Sequence, residues 1–419
     1  MSNLRSAEAK GVLFRNTILL YVLQFSGYFF ALASLPYQAR VLGPEYFGKL
    51  GYAAAIMVFV ELFVDFGFML HATSEISKNR HDTKFISRVL TSATIVKVIL
   101  SLIAIILVCA ASLLIPSMRP DFWLYFFFLL STVAGCFMPD FVYRGIESMW
   151  AITVRTILVK LFFTVMIFIL LRKPSDYYLV PLLMLGGNTV AILGVYVHMH
   201  RALKVRFIKV SVAYTFTVFK EASEFFYSRI ATALYGAANT MILGATSSGV
   251  AVGYYTSSDK LVGAAKSIMA PLADSVYPYM IRKRDFKLIG RILKITMPLI
   301  TLACVLVFIF AEQICVLMFG KDFSEAGSVL RALMPVVLVT LPNYLLGFPT
   351  LGAMGLSKYA NRSIFFAVVI QVLILACLFC THNLSMIGLA LAASASELSV
   401  LIFRCIVIYR NRNLLANVE

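Results

Sequence analysis

Residues 35–67 read LPYQARVLGPEYFGKLGYAAAIMVFVELFVDFG. They hold the end of one apolar run, a turn at Gly43-Pro44, and a second apolar run carrying Glu61 and Asp65. Positions four apart share a helical face. Two carboxylates on one face of an apolar helix are costly in hydrocarbon, so that face must meet a polar interior. The stretch therefore predicts paired helices inside a bilayer, one of them turned toward a wet space.

The rest of the chain agrees. Of its 419 residues 61% are hydrophobic and 14% charged, and the mean hydropathy is +0.88, far from a soluble domain. A span needs roughly 20 apolar residues, and such runs recur near 15–37, 46–70, 85–114, 121–144, 149–171, 178–199, 215–245, 250–280, 288–318, 325–354, 361–381 and 385–409. The expected fold is an all-α integral membrane protein of about twelve transmembrane helices. Its connections are too short for an extramembrane domain. Pro335, Pro342, Gly347 and Pro349 predict a bend in the tenth span, since proline removes a donor and crowds the preceding turn.

The net charge of +17 does not indicate nucleic acid, because the basic residues sit in alternate connections. Lys78, Arg80 and Lys84 follow the second span, Arg201, Lys204, Arg206 and Lys209 the sixth, and Arg282, Lys283, Arg284 and Lys287 the eighth. The positive-inside rule then places both termini in the cytoplasm. Arg5, Lys10 and Arg15 before an apolar run imitate a signal peptide, but that run continues through Gln24 into the next span and reads as an uncleaved helix. Of the seven cysteines, Cys377 and Cys380 make a C-x-x-C that reads as small residues of an apolar helix.

An internal repeat is legible. Arg40–Gly48, RVLGPEYFG, resembles Met241–Gly249, MILGATSSG, and Phe47-Gly48 aligns with Val252-Gly253 if the second copy holds about four more residues. The expectation is two six-helix lobes, 1–210 and 211–419, around a central cavity. Carried backwards, the repeat sets Gly27, Ala31, Ser34 and Gln38 on Ser228, Thr232, Tyr235 and Asn239. The second set forms a polar stripe with Glu221 and Glu224, fit to line a lumen or to pack helix against helix. Gln24, Ser228, Thr232, Tyr235 and Asn239 are the lumen polar candidates. Carried forwards, it makes Glu61 and Lys266 mates.

Lys97, Lys160 and Lys266 lie near helix centres, with Arg155 and Arg229 less central. Lining a cavity, these five would draw an anionic ligand, arginine holding phosphate in bidentate fashion. Mutual neutralisation competes with that reading, and Asp140 with Arg144 is the clearest expected pair. Glu61, Asp65 and Glu224 are candidates for a coupling proton or sodium ion. No catalytic grouping, metal set, nucleotide loop or cofactor signature emerges from the five histidines or the glycines.

PYQARVLGPEYFG resembles the conserved segment of bacterial polysaccharide transporters, the O-antigen flippases of the Wzx type. Met138–Met149, MPDFVYRGIESM, is similar to that family's P-x-W-x-[FY]-Q-G-x-E-x-M through Pro139, Tyr143, Gly145, Glu147 and Met149, with Phe141 for the usual Trp and Arg144 for Gln. The resemblance implies a multidrug/oligosaccharidyl-lipid/polysaccharide exporter fold in the bacterial inner membrane. It also implies transfer of an undecaprenyl-diphosphate-linked oligosaccharide to the periplasmic leaflet, with O-antigen polymerase and chain-length regulator as partners. Alternatives are a drug or cation antiporter, a flippase for another lipid-linked precursor, and a membrane glycosyltransferase or O-antigen polymerase. The enzymes would need a sizeable external loop, which this chain lacks, so a non-enzymatic transporter is expected.

Overall fold

The computed structural model describes the backbone of residues 2–413 and the side chains of that range other than 2–17, 20, 227, 228 and 231–235. Every regular element among the described residues is helical. The first, α1 (Ser2–Asp65), runs for 64 residues with one break at Gly43, φ 71° and ψ 172°. Unbroken, it would be about 96 Å long, some three times the hydrocarbon thickness. The left-handed φ suits glycine, and Pro44 removes a helical donor at the same point. This break separates the first two predicted spans.

Helices α2 (Phe68–Lys78), α3 (Thr83–Leu114), α4 (Phe122–Cys136), the short α5 (Asp140–Gly145), α6 (Met149–Leu170) and α7 (Leu179–Arg201) follow. Gly67, φ 81°, opens α2. A side chain there would also collide with the Ala222 carbonyl at 2.6 Å. Asp82 caps α3, accepting from the amides of Lys84 and Phe85 at 2.9 and 3.0 Å. The basic connection after α7 is fixed to α3, since the Arg206 and Ile208 amides donate to Ser87 Oγ and Thr91 Oγ1.

The second half comprises α8 (Val212–Thr246), α9 (Gly249–Lys283), α10 (Phe286–Ile309), α11 (Ala311–Phe319), α12 (Ala326–Leu345), α13 (Ser357–Cys380) and α14 (Met386–Arg410). The expected bend of the tenth span is present: α12 passes into a π-helical segment, Leu346–Gly352, with non-helical backbone at Gly347 (ψ −123°). The Arg404 guanidinium donates to the Asn343 carbonyl beside this bend, so the interrupted ladder keeps a donor.

Nine helical stretches of the described residues are long and apolar enough to span a bilayer, the first of them, Tyr21–Lys78, covering two predicted spans. Helices α8 and α9 fall outside that set, and both carry several charged residues along their length. The protein is a multi-pass membrane protein.

The chain divides into two compact units, Met1–Leu42 with Ala53–Ala233, and Gly43–Tyr52 with Leu234–Glu419. Relative to the linear halves 1–210 and 211–419, two segments are exchanged, and packing explains both. Val218 and Ala222 of α8 are buried against Phe68, Ala72, Ile86, Val89 and Phe141 in the core of the first unit. In the second unit α12 is central, with 67% of its apolar window buried against 6% for α10.

Residues 43–52 reach the second unit through glycine. A methyl built on Gly48 would overlap the carbonyl of Gly249, and one on Gly253 that of Pro44. A methyl on Gly51 would strike Thr256. These contacts are reciprocal: in the register that equates Gly48 with Gly253, Pro44 equates with Gly249 and Gly51 with Thr256. The two copies of the repeated turn thus cross on each other about a local twofold, backbone against backbone. Helix association in lipid rests on such close packing because apolar burial there gains little.

Candidate functional site

The first unit gathers its charges where α1 ends. Phe66 and Gly67 take positive φ, which stops the helix at Asp65 and leaves this carboxylate 5% exposed within the protein. Lys97, on α3 and 2% exposed, donates to Asp65 Oδ1 at 2.9 Å and to the Cys136 carbonyl at 2.9 Å. The faces of Phe141 and Phe68 lie 5.5 and 6.0 Å from the ammonium. The other Asp65 oxygen accepts from Arg229 of α8, whose side chain is one-third exposed. Glu61, one turn earlier, is exposed and within Coulombic reach of Arg229, Asp65 and Lys97. Two carboxylates thus face two cations.

Helix α6 carries two further candidates on different faces. Arg155 holds Asp140 bidentately, at 2.5 and 3.0 Å, tying α6 to α5. This corrects the expected pairing of Asp140 with Arg144: those residues share the single-turn α5, and the Arg155 fork meets both carboxylate oxygens. Lys160 lies against α1 at Gly27, where a methyl would come within 2.7 Å of its ammonium. Its electrostatic neighbour is Tyr28, which accepts from Gln24 Nε2 at 3.3 Å. Among the described residues no carboxylate pairs with Lys160.

In the second unit Lys266 of α9 bonds Glu397 of α14 at 2.6 Å. The Asn343 amide of α12 donates to the carboxylate and carbonyl of the same Glu397, at 3.1 and 3.0 Å. Asn239 is no lining residue; it is 4% exposed and bonded to Tyr255 at 3.1 Å and Gln371 at 2.6 Å, with Ser396 donating to Gln371. Gln371, Ser396 and Asn343 escaped the sequence reading. Their only signal was a polar residue in an apolar run.

The sequence-based mates Glu61 and Lys266 each meet opposite charge within their own unit. Glu224 is exposed on α8. Ser228, Thr232 and Tyr235 lie outside the described side chains. Among the described residues no cluster of three His, Cys, Asp or Glu could hold a metal, and Cys377 and Cys380 are free and exposed.

A family model described as "Polysaccharide biosynthesis protein" matches residues 13–284. The chain belongs to that family. Among its curated relatives, a protein of Escherichia coli (strain K12) named "Putative O-antigen transporter" is 26% identical over 343 residues, 78% of this chain and 81% of the relative. A protein of the same name from Shigella dysenteriae is 23% identical over 329 residues, 76% and 81% of the two chains.

Solved structures place this family member's fold. The inward closed conformation of the lipid II flippase MurJ superposes with TM-score 0.65 at 12% identity, covering 94% of this chain and 87% of that one. An inward-facing multidrug resistance MATE family transporter of the MOP superfamily gives 0.67 at 15%, covering 93% and 95%. The protein is an all-α membrane protein of the polysaccharide biosynthesis family, and its fold is similar to that of these two structures.

Proposed function

We propose that the protein is a flippase of the bacterial inner membrane that moves an undecaprenyl-diphosphate-linked oligosaccharide from the cytoplasmic to the periplasmic leaflet. One observation carries the site: of the five candidate cations, Lys97, Arg155, Arg229 and Lys266 are bonded to carboxylates, and Lys160 has none among the described residues. An ammonium in a membrane span needs a counter-charge or a polar contact. Lys160, with Gln24 and Tyr28 beside it, suits a phosphate and its first sugar. Arg229, part-exposed, is the second contact. Lys97, 2% exposed and bonded to both Asp65 and the Cys136 carbonyl, positions Asp65.

Glu61 supplies the coupling. With Glu61 ionised, the group of Glu61, Asp65, Lys97 and Arg229 is neutral; with a proton or a sodium ion on Glu61, it carries one net positive charge. The diphosphate then binds the loaded state better, and only such differential affinity shifts a conformational equilibrium. Asp65 and Glu224 are secondary candidates for the coupling ion. The linear halves 1–210 and 211–419 are read as the two lobes that alternate access, both termini cytoplasmic, and O-antigen polymerase and chain-length regulator as partners downstream.

The test is complementation of a flippase-deficient strain, following lipid-linked precursor in each leaflet. Restored periplasmic precursor with the wild type, and its loss in Lys160→Gln at equal membrane abundance, is expected. Precursor held in the cytoplasmic leaflet by the well-inserted wild type would remove the flippase reading; efflux of cationic drugs in its place would make the protein an antiporter.

A further inference from the structure

Apart from these charges, the first unit holds a cavity of about 490 Å³ between α6 and α7. Its walls are Val154, Leu158, Phe162, Val190 and Gly194, and the side chains of Val154, Leu158, Phe162 and Val190 are all exposed, so the groove opens to lipid. Its polar atoms are confined to one end, where the first turns of α6 meet the last turns of antiparallel α7: Tyr143, Trp150, Arg155 and His198. Tyr143, 1% exposed, bonds His198 Nδ1 at 2.9 Å, and its ring stacks on the imidazole with centroids 5.9 Å apart. Trp150 closes the other side of His198 edge-on at 5.7 Å. Tyr143 also reaches the Val195 carbonyl at 3.3 Å, and with Nδ1 taken by Tyr143 the other ring nitrogen, Nε2, is the one left to face a ligand.

We infer that this groove is a binding site for an anionic phospholipid of the cytoplasmic leaflet, one acyl chain lying between α6 and α7 and its phosphate against His198, beside the Asp140-paired Arg155. Length supports a single chain. From Trp150 to Phe162 the groove is about 18 Å long at 1.5 Å per residue, close to one leaflet, half of a hydrocarbon core about 30 Å thick. An undecaprenyl chain, of eleven isoprene units, is far longer than that. Charge supports the headgroup. Next in the chain to the lining Tyr143 is Arg144, whose Nε is buried with no partner among the described residues, and Arg201 follows His198 by one turn on α7; Asp140 is the acid beside Arg155. The cationic connection after α7 sets this end on the cytoplasmic side, the side of anionic surface potential. Glycine leaves the room: a Cβ at Gly194 would meet nothing within 4 Å.

The chain has two tryptophans, Trp123 and Trp150, which makes Trp150 a reporter once Trp123→Phe has removed the other. That protein would be reconstituted in phosphatidylcholine bilayers with acyl-brominated phosphatidylglycerol or acyl-brominated phosphatidylcholine. The expected result is a preference of about fivefold in Trp150 quenching for the anionic lipid, the effect of one basic residue near a membrane surface. Gly194→Leu, whose Cβ meets nothing within 4 Å and whose side chain projects into the groove, should abolish that preference while the protein stays monodisperse, and His198→Ala should weaken it. Equal quenching by both lipids, or full preference in Gly194→Leu, would overturn the site. Neither readout involves transport, so the flippase reading stands or falls separately.

Discussion

In each unit a lysine of a long helix is bridged to a carboxylate, Lys97 buried and Lys266 half-buried, yet the surroundings differ. In the second unit Glu397 accepts from both Lys266 and Asn343, whose own Oδ1 is buried without a partner among the described residues, and Asn239, Tyr255, Gln371 and Ser396 form a second network. In the first, Asp65 and Lys97 are as tightly held, but an exposed Glu61 and a part-exposed Arg229 adjoin them, and Lys160, against α1 at Gly27, has no carboxylate partner among the described residues. Satisfied polar networks rigidify a fold. On the proposed function, charges left available to an incoming partner do the recognition, with ligand chemistry in the first unit and scaffolding in the Lys266 network.

The largest effect should come from breaking a scaffold bridge. Lys97→Met strands Asp65 against Arg229 alone, and Lys266→Met strands Glu397; removing one partner of a buried pair costs about 3–5 kcal/mol, visible as a lower Tm in detergent. Lys266→Met with Glu397→Gln should recover most of that loss. No recovery would show that Glu397 has another charged partner and that the closed network is misdrawn.

Next in size is Lys160→Gln. A hydrogen bond to a charged group contributes about 1.5–3 kcal/mol, so translocation should fall roughly tenfold to a hundredfold with the Tm unmoved. Loss of Tm in step with transport would move Lys160 from recognition to scaffold. Glu61→Gln should keep precursor binding and lose its dependence on the ion gradient, measured as uptake into vesicles with and without a pH or sodium difference. Unchanged dependence would transfer coupling to Asp65 or Glu224. Smallest is Gly27→Ala: the new methyl crowds only the mobile end of Lys160, so a severalfold loss of transport is expected, and none in a Lys160→Gln background.

Much of the fold was legible because each cause is local. Apolar runs of spanning length gave the helices, Gly43-Pro44 the break in α1, and the proline cluster after Met334 the bend at Gly347. The repeated LG turn foretold two copies, and their reciprocal glycine crossing fits the register read from the sequence. The partners of the charges were not legible. Asp140 has Arg144 one turn away but is held by Arg155, while Lys266 and Glu397 stand 131 residues apart.

Sequence by itself determined that the chain lives in a bilayer, since hydropathy and charge placement need no partner to act. It also determined which residue types would be costly there. Only the tertiary structure decided which of those costs are met inside the protein, because neutralisation depends on a few ångströms between helices far apart in the chain. The carboxylates that opened the sequence reading are a case in point: Asp65 is held between Lys97 and Arg229, and Glu61, one turn away, is left exposed.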